Sequence, residues 1–304
     1  MVAAAKDFLK IYWPLVLVAF AGLVLTLMLM DPAPPKTIRF AAGPPGGAYY
    51  TYAERYQRLL GEQDVNVTLI QTAGSVENLR LLDEGSADVA LVQGGLATPG
   101  DAETLRSLGG LFHEPFWVFV RDEAGVTDFG QLRDLRMAIG PDGSGTRLLG
   151  LDLQAEFDGV WPAPARNSLS GTAAANALIE GKLDAAAFAA SPDAAYVQTL
   201  LRAPGISLLP FERAEALSRR QPALAAVVLL RGVVDIGADL PAHDVSLVAP
   251  VAQLVVRKSL HPAIEALLVD SASAIHQDGS LFARAGAFPD PDPTDLPVSR
   301  QVQR

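Results

Sequence analysis

Two glycine-rich segments of the chain share one pattern at a constant spacing. Residues 39–47 read RFAAGPPGG and residues 136–145 read RMAIGPDGSG, so Arg, Ala, Gly, Pro and Gly recur with an offset of 97. A second motif, LDEGSAD at residues 82–88, recurs as LIEGKLD at residues 178–184, with an offset of 96. Because two unrelated motifs keep nearly the same offset, the sequence predicts two similar lobes.

Each glycine-rich segment follows a short apolar run and precedes a stretch with helical periodicity. The apolar runs 38–42 and 137–139 predict buried strands, and the glycines predict turns. The start of the following helix exposes unpaired N–H groups and carries about half a positive charge. Since glycine lets a ligand approach the backbone closely, each segment predicts a seat for an anion. Any strand-to-helix turn favours Gly and Pro, so a single copy is equally consistent with a purely structural turn. The second copy is what favours ligand binding.

Three predicted parallel strands in the first half all end next to glycine or polar residues. Ligands of open parallel sheets gather at the carboxyl ends of the strands, so the three loops are expected to converge. The second half repeats the arrangement with the strand over residues 185–189, which leads into a loop over residues 190–196. The pairs at the three strand ends of the first half are Gly46 with Gly47, Thr72 with Ser75, and Gln93 with Gly94.

Composition excludes several classes of function. The net charge of −10 and the pI near 4.9 argue against a nucleic-acid surface. Cysteine is absent, which excludes disulfides, thiolate metal ligands and thiol catalysis. The four histidines, at positions 113, 243, 261 and 276, show no metal-binding spacing. The chain is therefore predicted to bind no metal and no cofactor.

Catalytic and nucleotide-binding motifs are also missing. Ser144 has Asp142 where a hydrolase elbow needs its first glycine, and the loop at Gly140 lacks the lysine of a P-loop. No dinucleotide-type Gly-x-Gly-x-x-Gly occurs. We therefore predict no catalytic residue, and a cleft between two lobes that binds a small anion and closes about a hinge.

The N-terminal region predicts a membrane anchor. Residues 11–30 contain no charge and are long enough to span a bilayer as a helix. Lys6 and Lys10 precede this run and Asp31 follows it, so residues 1–10 are expected in the cytoplasm and the rest on the periplasmic or extracellular side. A cleaved signal peptide is the alternative, although its apolar core is normally shorter and no small-x-small cleavage site is present. Residues 31–35 then form a Pro-rich spacer.

The remaining chain divides between the two predicted lobes. Phe116–Arg121 and the similar segment Val251–Arg257 are interpreted as strands that cross between them. Four prolines beyond residue 288 predict a flexible tail. The predicted segments are residues 36–118 with 253–285 for lobe 1, residues 119–252 for lobe 2, and residues 286–304 for the tail.

Four motifs together resemble the TAXI-type solute-binding subunits of TRAP transporters, which are related to NMT1-like periplasmic binding proteins. They are GPPGGAY from Gly43, TAGSVEN from Thr72, EGSADVALVQ from Glu84 and GPDGSGT from Gly140. The resemblance implies a two-lobe type II periplasmic binding protein fold, α/β in class. It also implies capture of a small organic acid, typically glutamate or a dicarboxylate, and delivery to a TRAP-type membrane permease.

The same resemblance supplies candidate ligand contacts. A purely structural role as helix caps is the alternative for Ser75 and Ser144, and a place in the core is the alternative for Tyr196. Arg147 is the candidate cation beside the second loop, with Arg80 and Arg166 as alternatives. The predicted contacts are Gly46, Gly47, Ala48, Tyr49, Thr72, Ser75, Asn78, Gln93, Gly94, Ser144, Gly145, Thr146, Arg147, Asp193 and Tyr196.

Two other functions remain open on the sequence. The same fold could serve a sensory or assembly role, presenting the domain to a membrane partner. An enzyme that reuses the binding fold would need a general base in the cleft, and the sequence offers no residue for that role.

Overall fold

The computed structural model describes residues 12–23, 33–157, 166–292 and 294–302. The chain forms two compact units, Met1–Pro35 and Lys36–Arg304. In the first unit, residues 12–23 form helix α1, whose apolar side chains, such as Leu15 and Val18, are exposed. None of the described helices has the length and apolar character needed to cross a membrane. Residues 11 and 24–30 of the predicted span 11–30, like residues 1–10, lie outside the described residues.

The second unit is a mixed α/β domain built on two β-sheets. Its strands are β1 Thr37–Ala41, β2 Asn66–Ile70, β3 Val89–Gln93, β4 Leu105–His113, β5 Phe116–Arg121, β6 Met137–Ala138, β7 Arg166–Asn167, β8 Ala185–Ala189, β9 Ile206–Leu208, β10 Leu224–Leu229 and β11 Val245–Arg257. Its helices are α2 Ala48–Gly61, α3 Ser75–Asp83, α4 Asp101–Thr104, α5 Gly145–Glu156, α6 Gly171–Ile179, α7 Ala195–Leu201, α8 Ala214–Arg220 and α9 Pro262–His276.

The two sheets repeat one topology. In the first sheet the strand order is β2–β1–β3–β11–β10, with β4 also paired to β11, and the buried residues of β10 belong to the core of lobe 2; in the second sheet the order is β7–β6–β8–β5–β9. The first three strands of each order are parallel, and β11 or β5 then joins antiparallel. The strand order therefore confirms the two similar α/β lobes that the sequence duplication predicts.

An arginine–aspartate pair explains why the second duplicated motif recurs in both lobes. Arg39 of β1 donates through Nη2 to Asp88 Oδ1 and to the Gly85 carbonyl, both at 2.8 Å. Gly85 has a φ of +72°, and a Cβ there would lie 3.2 Å from the guanidinium of Arg257. Glycine is thus required both by the backbone and by the side chain that covers it. The equivalent residues of lobe 2 are Arg136, Gly181, Asp184 and Arg121.

Helix α2 shows how apolar spacing builds the core of lobe 1. Tyr52, Ala53, Tyr56 and Leu60 lie on one face and are buried. This face packs on the sheet, with the rings of Phe40 and Tyr56 5.6 Å apart. Burial of each large apolar side chain contributes about 1.5–3 kcal/mol. The helical spacing of these apolar residues therefore fixes which face of α2 packs on the sheet, and with it the position of the helix start.

Strand β11 belongs to both lobes. Its residues 245–249 lie in the core of lobe 2, and residues 252–256 lie in the cores of lobe 1. The second link runs from β4 to β5, where the Glu114 N–H donates to the Pro250 carbonyl at 2.9 Å. Strand β5 lies wholly in the core of lobe 2, so the lobes join near residues 114–115 and 250–251. The predicted boundary after residue 118 comes three to four residues later, because Phe116–Val118 are already core residues of lobe 2, and the predicted boundary after residue 252 comes one to two residues later.

The predicted flexible tail is wrong for the described residues 286–292 and 294–302, which pack on lobe 1. Asp290 exchanges two backbone hydrogen bonds with Gly110, at 2.9 and 2.7 Å, and Ser299 donates to the Ser107 carbonyl at 2.9 Å. Leu296 is buried among apolar side chains of lobe 1. The free edge of β4 offers unpaired N–H and C=O groups, and these hold a proline-rich segment that cannot form a regular element alone.

His276 ends helix α9 and is buried among aromatic rings. Its ring centroid lies 4.7 Å from that of Tyr52 and 5.6 Å from that of Phe112. Burial, together with the positive charge of Arg55, lowers the pKa of His276 to about 3. The folded protein therefore holds this imidazole neutral in a pH range where the unfolded chain protonates it.

We expect His276→Phe to make the protein more resistant to acid. Below the ordinary histidine pKa of about 6.5, only the unfolded chain takes up the proton, so each lower pH unit costs the parent about 1.4 kcal/mol relative to the variant. Urea denaturation between pH 7 and pH 4 measures this difference. His243→Gln, at an exposed position, is the control and should leave the pH profile unchanged. A His276→Phe difference that stays constant with pH would contradict the assignment.

Candidate functional site

A cavity of about 420 Å³ lies between the two lobes. Both glycine-rich turns line it: residues 44–47 enter from lobe 1, and Gly140, Pro141, Ser144 and Gly145 enter from lobe 2. The ends of β3 and β8 also reach it, through Gln93 and residues 187–190. The carboxyl ends of the two sheets therefore face one gap, as parallel-sheet ligand sites do.

Four helices begin at this cavity. The N-caps of α2, α3, α5 and α6 are Gly47, Gly74, Ser144 and Ser170, and all four line the cavity. The Ser144 hydroxyl accepts from the Arg147 N–H at 3.2 Å, whereas the other three N-caps make no side-chain capping bond within the described chain. Each helix start contributes free N–H groups and about half a positive charge. Together they suit an anion.

Hydroxyl groups tie these helix starts to the strand ends. Ser75 is the first residue of α3 rather than its cap, and its Oγ accepts from the Gln93 N–H at 3.0 Å. In lobe 2, Thr146 Oγ1 accepts from the Ala189 N–H at 3.0 Å. Each bond fixes a helix start against the end of a buried strand, so the wall of the cavity is rigid in both lobes.

Gln93 and Gly145 bring the two lobes into contact. The Gln93 side chain, from lobe 1, lies so close to the Gly145 backbone of lobe 2 that a Cβ at position 145 would overlap Gln93 Oε1. A side chain at position 145 would therefore displace the Gln93 amide. The contact closes one side of the cavity.

Most of the predicted contact residues come together at the cavity. They come from both lobes, from four helix starts and one strand end. The predicted residues that line it are Gly46, Gly47, Ala48, Tyr49, Ser75, Gln93, Ser144, Gly145, Thr146 and Tyr196.

Thr72 and Asn78 do not line the cavity; they support the loop behind it. The Thr72 hydroxyl accepts from the Gly43 N–H at 3.1 Å and donates to Asn78 Oδ1 at 2.5 Å. Asn78 Nδ2 donates to the Leu91 carbonyl at 2.8 Å, and the side chain is fully buried. Both side chains thus satisfy buried backbone groups, which places them one layer behind the cavity lining.

Gly94 and Asp193 also fall outside the lining. The Gly94 N–H donates to the Val251 carbonyl at 2.9 Å, which holds the end of β3 against β11. Asp193 is exposed, and its carboxylate accepts from the Tyr52 hydroxyl at 3.3 Å. Since Tyr52 belongs to lobe 1 and Asp193 to lobe 2, this bond links the lobes beside the cavity.

The described side chains of the candidate cations do not line the cavity. Arg147 donates from Nε to the Gly140 carbonyl at 2.8 Å, behind the second glycine-rich turn. Arg80 pairs with Glu84 at 2.7 Å on the exposed face of α3. The side chain of Arg166 is not among those that the structure describes. Among the described side chains, no Lys or Arg lines the cavity, so its positive potential comes from helix starts.

Glu114 lines the cavity, and our sequence analysis missed it. It lies between β4 and β5, is 4% exposed, and accepts from the Tyr49 hydroxyl at 2.5 Å. Burial raises the pKa of Glu114 to about 8, while the hydrogen bond from Tyr49 lowers it. The sequence shows only an isolated acid between two apolar runs, and no local pattern marks it as a site residue.

The start of α6 was not predicted as a contact, although the sequence contained a signal. Ser170, Gly171 and Thr172 line the cavity. Gly171 lies 96 residues after Ser75, the offset of the second duplicated motif. Applying that offset to the first lobe's contacts would have placed this helix start at the site.

An aromatic wall completes the cavity. The rings of Phe188 and Tyr196 lie 5.2 Å apart, and Tyr49 contributes from the other lobe. Burial raises the pKa of Tyr196, so its hydroxyl remains a donor at neutral pH. Within the described residues no cluster of His, Asp and Glu could hold a metal ion. The arrangement can hold a small organic anion with backbone donors at one end and aromatic surface at another.

Solved structures share this fold at low sequence identity. A protein of Bordetella bronchiseptica RB50 matches with a TM-score of 0.54 and 16% identity over 80% of this chain and 71% of that one. The effector-binding domain of a BenM variant matches with a TM-score of 0.51 and 14% identity over 79% and 94%. The alkanesulfonate-binding protein SsuA from Xanthomonas axonopodis pv. citri, bound to MOPS, matches with a TM-score of 0.50 and 17% identity over 80% and 74%.

The sequence of this two-lobed domain matches a known protein family. The match covers residues 40–266, which include both glycine-rich turns and both duplicated motifs. The structure of this region is a mixed α/β fold with two sheets that resembles the periplasmic binding proteins. The chain belongs to the NMT1-like family.

Proposed function

We propose that this protein is an extracytoplasmic solute-binding protein that captures a small organic anion between its lobes. The observation that carries the proposal is the convergence of four helix N-termini on one cavity, three of them without a side-chain cap within the described chain. Uncapped helix starts hold free N–H donors and positive potential, and a bound anion satisfies both. A carboxylate, such as glutamate or a dicarboxylate, is the proposed solute class.

The dimensions of the cavity support a small solute. A volume of about 420 Å³ lies in the lower part of the range for small-molecule sites, which is about 300–1,000 Å³. The alkanesulfonate-binding protein, which shares the fold, is bound to MOPS, an organic anion. Both observations favour an organic anion over a larger ligand such as a dinucleotide.

The two links between the lobes support capture by closure. Both lie close together, at residues 114–115 and at residues 250–251. Rotation about these links would open and close the gap while each core stays intact. The bonds from Tyr52 to Asp193 and the contact of Gln93 with Gly145 would form on closure.

Delivery to a TRAP-type permease and attachment to the membrane complete the proposal. The TAXI-type motifs support the permease as partner. Residues 11–30 are uncharged and follow two lysines, which supports an anchor in the cytoplasmic membrane with the N-terminus inside. The binding domain then lies on the periplasmic or extracellular side.

We expect Thr172→Glu to weaken the binding of succinate or L-glutamate at least about tenfold. The new carboxylate would lie at the start of α6, beside the cavity, and would repel the anion and occupy the helix start itself. Isothermal titration calorimetry on the parent and on the variant measures the change.

Two variants control this experiment. Thr172→Gln has the same size without the charge and should bind clearly more tightly than Thr172→Glu. Asn176→Glu places the same charge on an exposed site of α6 that does not line the cavity, and should bind like the parent. No heat with any acidic amino acid or dicarboxylate for the parent protein would overturn the proposed function.

We expect the full chain to sediment with membranes and to remain there in high salt, because an apolar helix is held by burial rather than by charge. A variant that carries Asp at both Leu15 and Val18 should move to the soluble fraction, since charges inside a spanning segment are costly. Cell fractionation followed by immunoblotting measures the distribution. A parent chain found in the soluble fraction would contradict the anchor.

A further inference from the structure

We propose that Glu114 is a specificity-determining residue that binds the solute as a neutral carboxyl group and donates a hydrogen bond to the anion. This inference rests on the proposed function and deepens it, because it defines what the solute must present at this point. The partner of Glu114 is an oxygen acceptor of the solute, and a cationic group is excluded there.

Glu114 is held at the junction of the lobes. It follows β4 directly, and its N–H donates to the Pro250 carbonyl of β11 at 2.9 Å. Both chain links between the lobes therefore meet at this residue. Its side chain is 4% exposed and lines the cavity. Its carboxyl group is thus in place before a solute enters, whichever lobe the solute contacts first.

The hydrogen bonds of Glu114 leave one oxygen available to the solute. The Tyr49 hydroxyl donates to Oε2 at 2.5 Å. No described residue donates a hydrogen bond to Oε1. A buried ionised carboxylate is normally stabilised by two or three donors or by a cation. The single hydroxyl donor of Tyr49 is a poor substitute for these partners, so this environment favours the protonated carboxyl group of Glu114. The O–H of that carboxyl group then needs a hydrogen-bond acceptor.

The described side chains around Glu114 carry no positive charge. Tyr49 faces it from α2 and Tyr196 from α7, and both hydroxyls are neutral because burial raises their pKa values. The hydroxyl of Ser75, on α3, lies beside Tyr49. The neighbouring His113 packs edge-on against Phe288, at 5.2 Å between ring centroids. No described Lys, Arg or His lines the cavity.

Electrostatics of the loaded site lead to the same assignment. Burial raises the pKa of Glu114 to about 8, so the group is mostly protonated at neutral pH. A bound anion close by would raise this pKa further, because two neighbouring negative charges in a dry site are costly. Ionisation of Glu114 therefore competes with binding. The affinity should be constant up to about pH 7 and fall about tenfold per pH unit once Glu114 ionises.

Calorimetry with succinate and with L-glutamate, between pH 6 and pH 9.5, tests the inference. Titrations in buffers of different ionisation enthalpy count the protons exchanged on binding. We expect almost no exchange at pH 6.5 and uptake of close to one proton at pH 9. Glu114→Gln keeps a donor but is not titratable: it should bind about tenfold more weakly than the parent at pH 7, with an affinity that stays constant up to pH 9.

Glu265→Gln is the matched control. Glu265 is another buried carboxyl, hydrogen-bonded to Ser299, and burial raises its pKa, but it does not line the cavity. This variant should keep the parent's pH profile. Release of a proton on binding at pH 7, or a parent affinity unchanged to pH 9, would overturn the role of Glu114 and leave the proposed function standing. No binding of either anion by the parent at any pH would overturn both.

Discussion

The site depends on one long strand that is shared between two cores. Strand β11 has 13 residues, and its two halves are buried in different lobes. A strand rises about 3.3 Å per residue, so β11 extends through both lobes as a single hydrogen-bonded element. The second link, residues 114–115 between β4 and β5, lies at the same point and is joined to β11 by the hydrogen bond from Glu114 to Pro250. With both links on one side, the carboxyl ends of the two sheets face each other across the cavity.

Stability and binding are separated along each sheet. The pair Arg39–Asp88 and its counterpart Arg136–Asp184 lie at the amino ends of β3 and β8, opposite the cavity. There they join β1 to β3 in lobe 1 and β6 to β8 in lobe 2. The carboxyl ends of the same strands end in turns with free donors. The duplication therefore repeats a complete mechanical unit, with a supporting end and a binding end.

The cavity combines helix N-termini with a carboxyl group in a protein of net charge −10. Under the proposed function, the overall charge would act weakly on a bound anion, because salt screens charges beyond about 8–10 Å. The helix starts act at hydrogen-bond distance, inside a partly dry gap where their effect is larger. In such a setting a protonated Glu114 adds a donor without adding a charge. A site built from backbone donors also has no long cationic side chain to order when the solute binds.

Patterns along the chain were sufficient to predict the duplication and the strands and helices that flank the two glycine-rich turns. The recurrence of Arg39 at Arg136 and of Asp88 at Asp184 predicts two similar lobes, and the helical period places Gly47, Ser75 and Ser144 at helix starts around one gap. Such signals are local, because they reflect periodicity and backbone geometry. Only the tertiary structure assigned Glu114 to the cavity, Thr72 and Asn78 to the layer behind it, and residues 286–292 and 294–302 to the edge of β4. Those outcomes depend on which distant groups meet in the packed domain, and neither the period nor the composition of a segment contains that information.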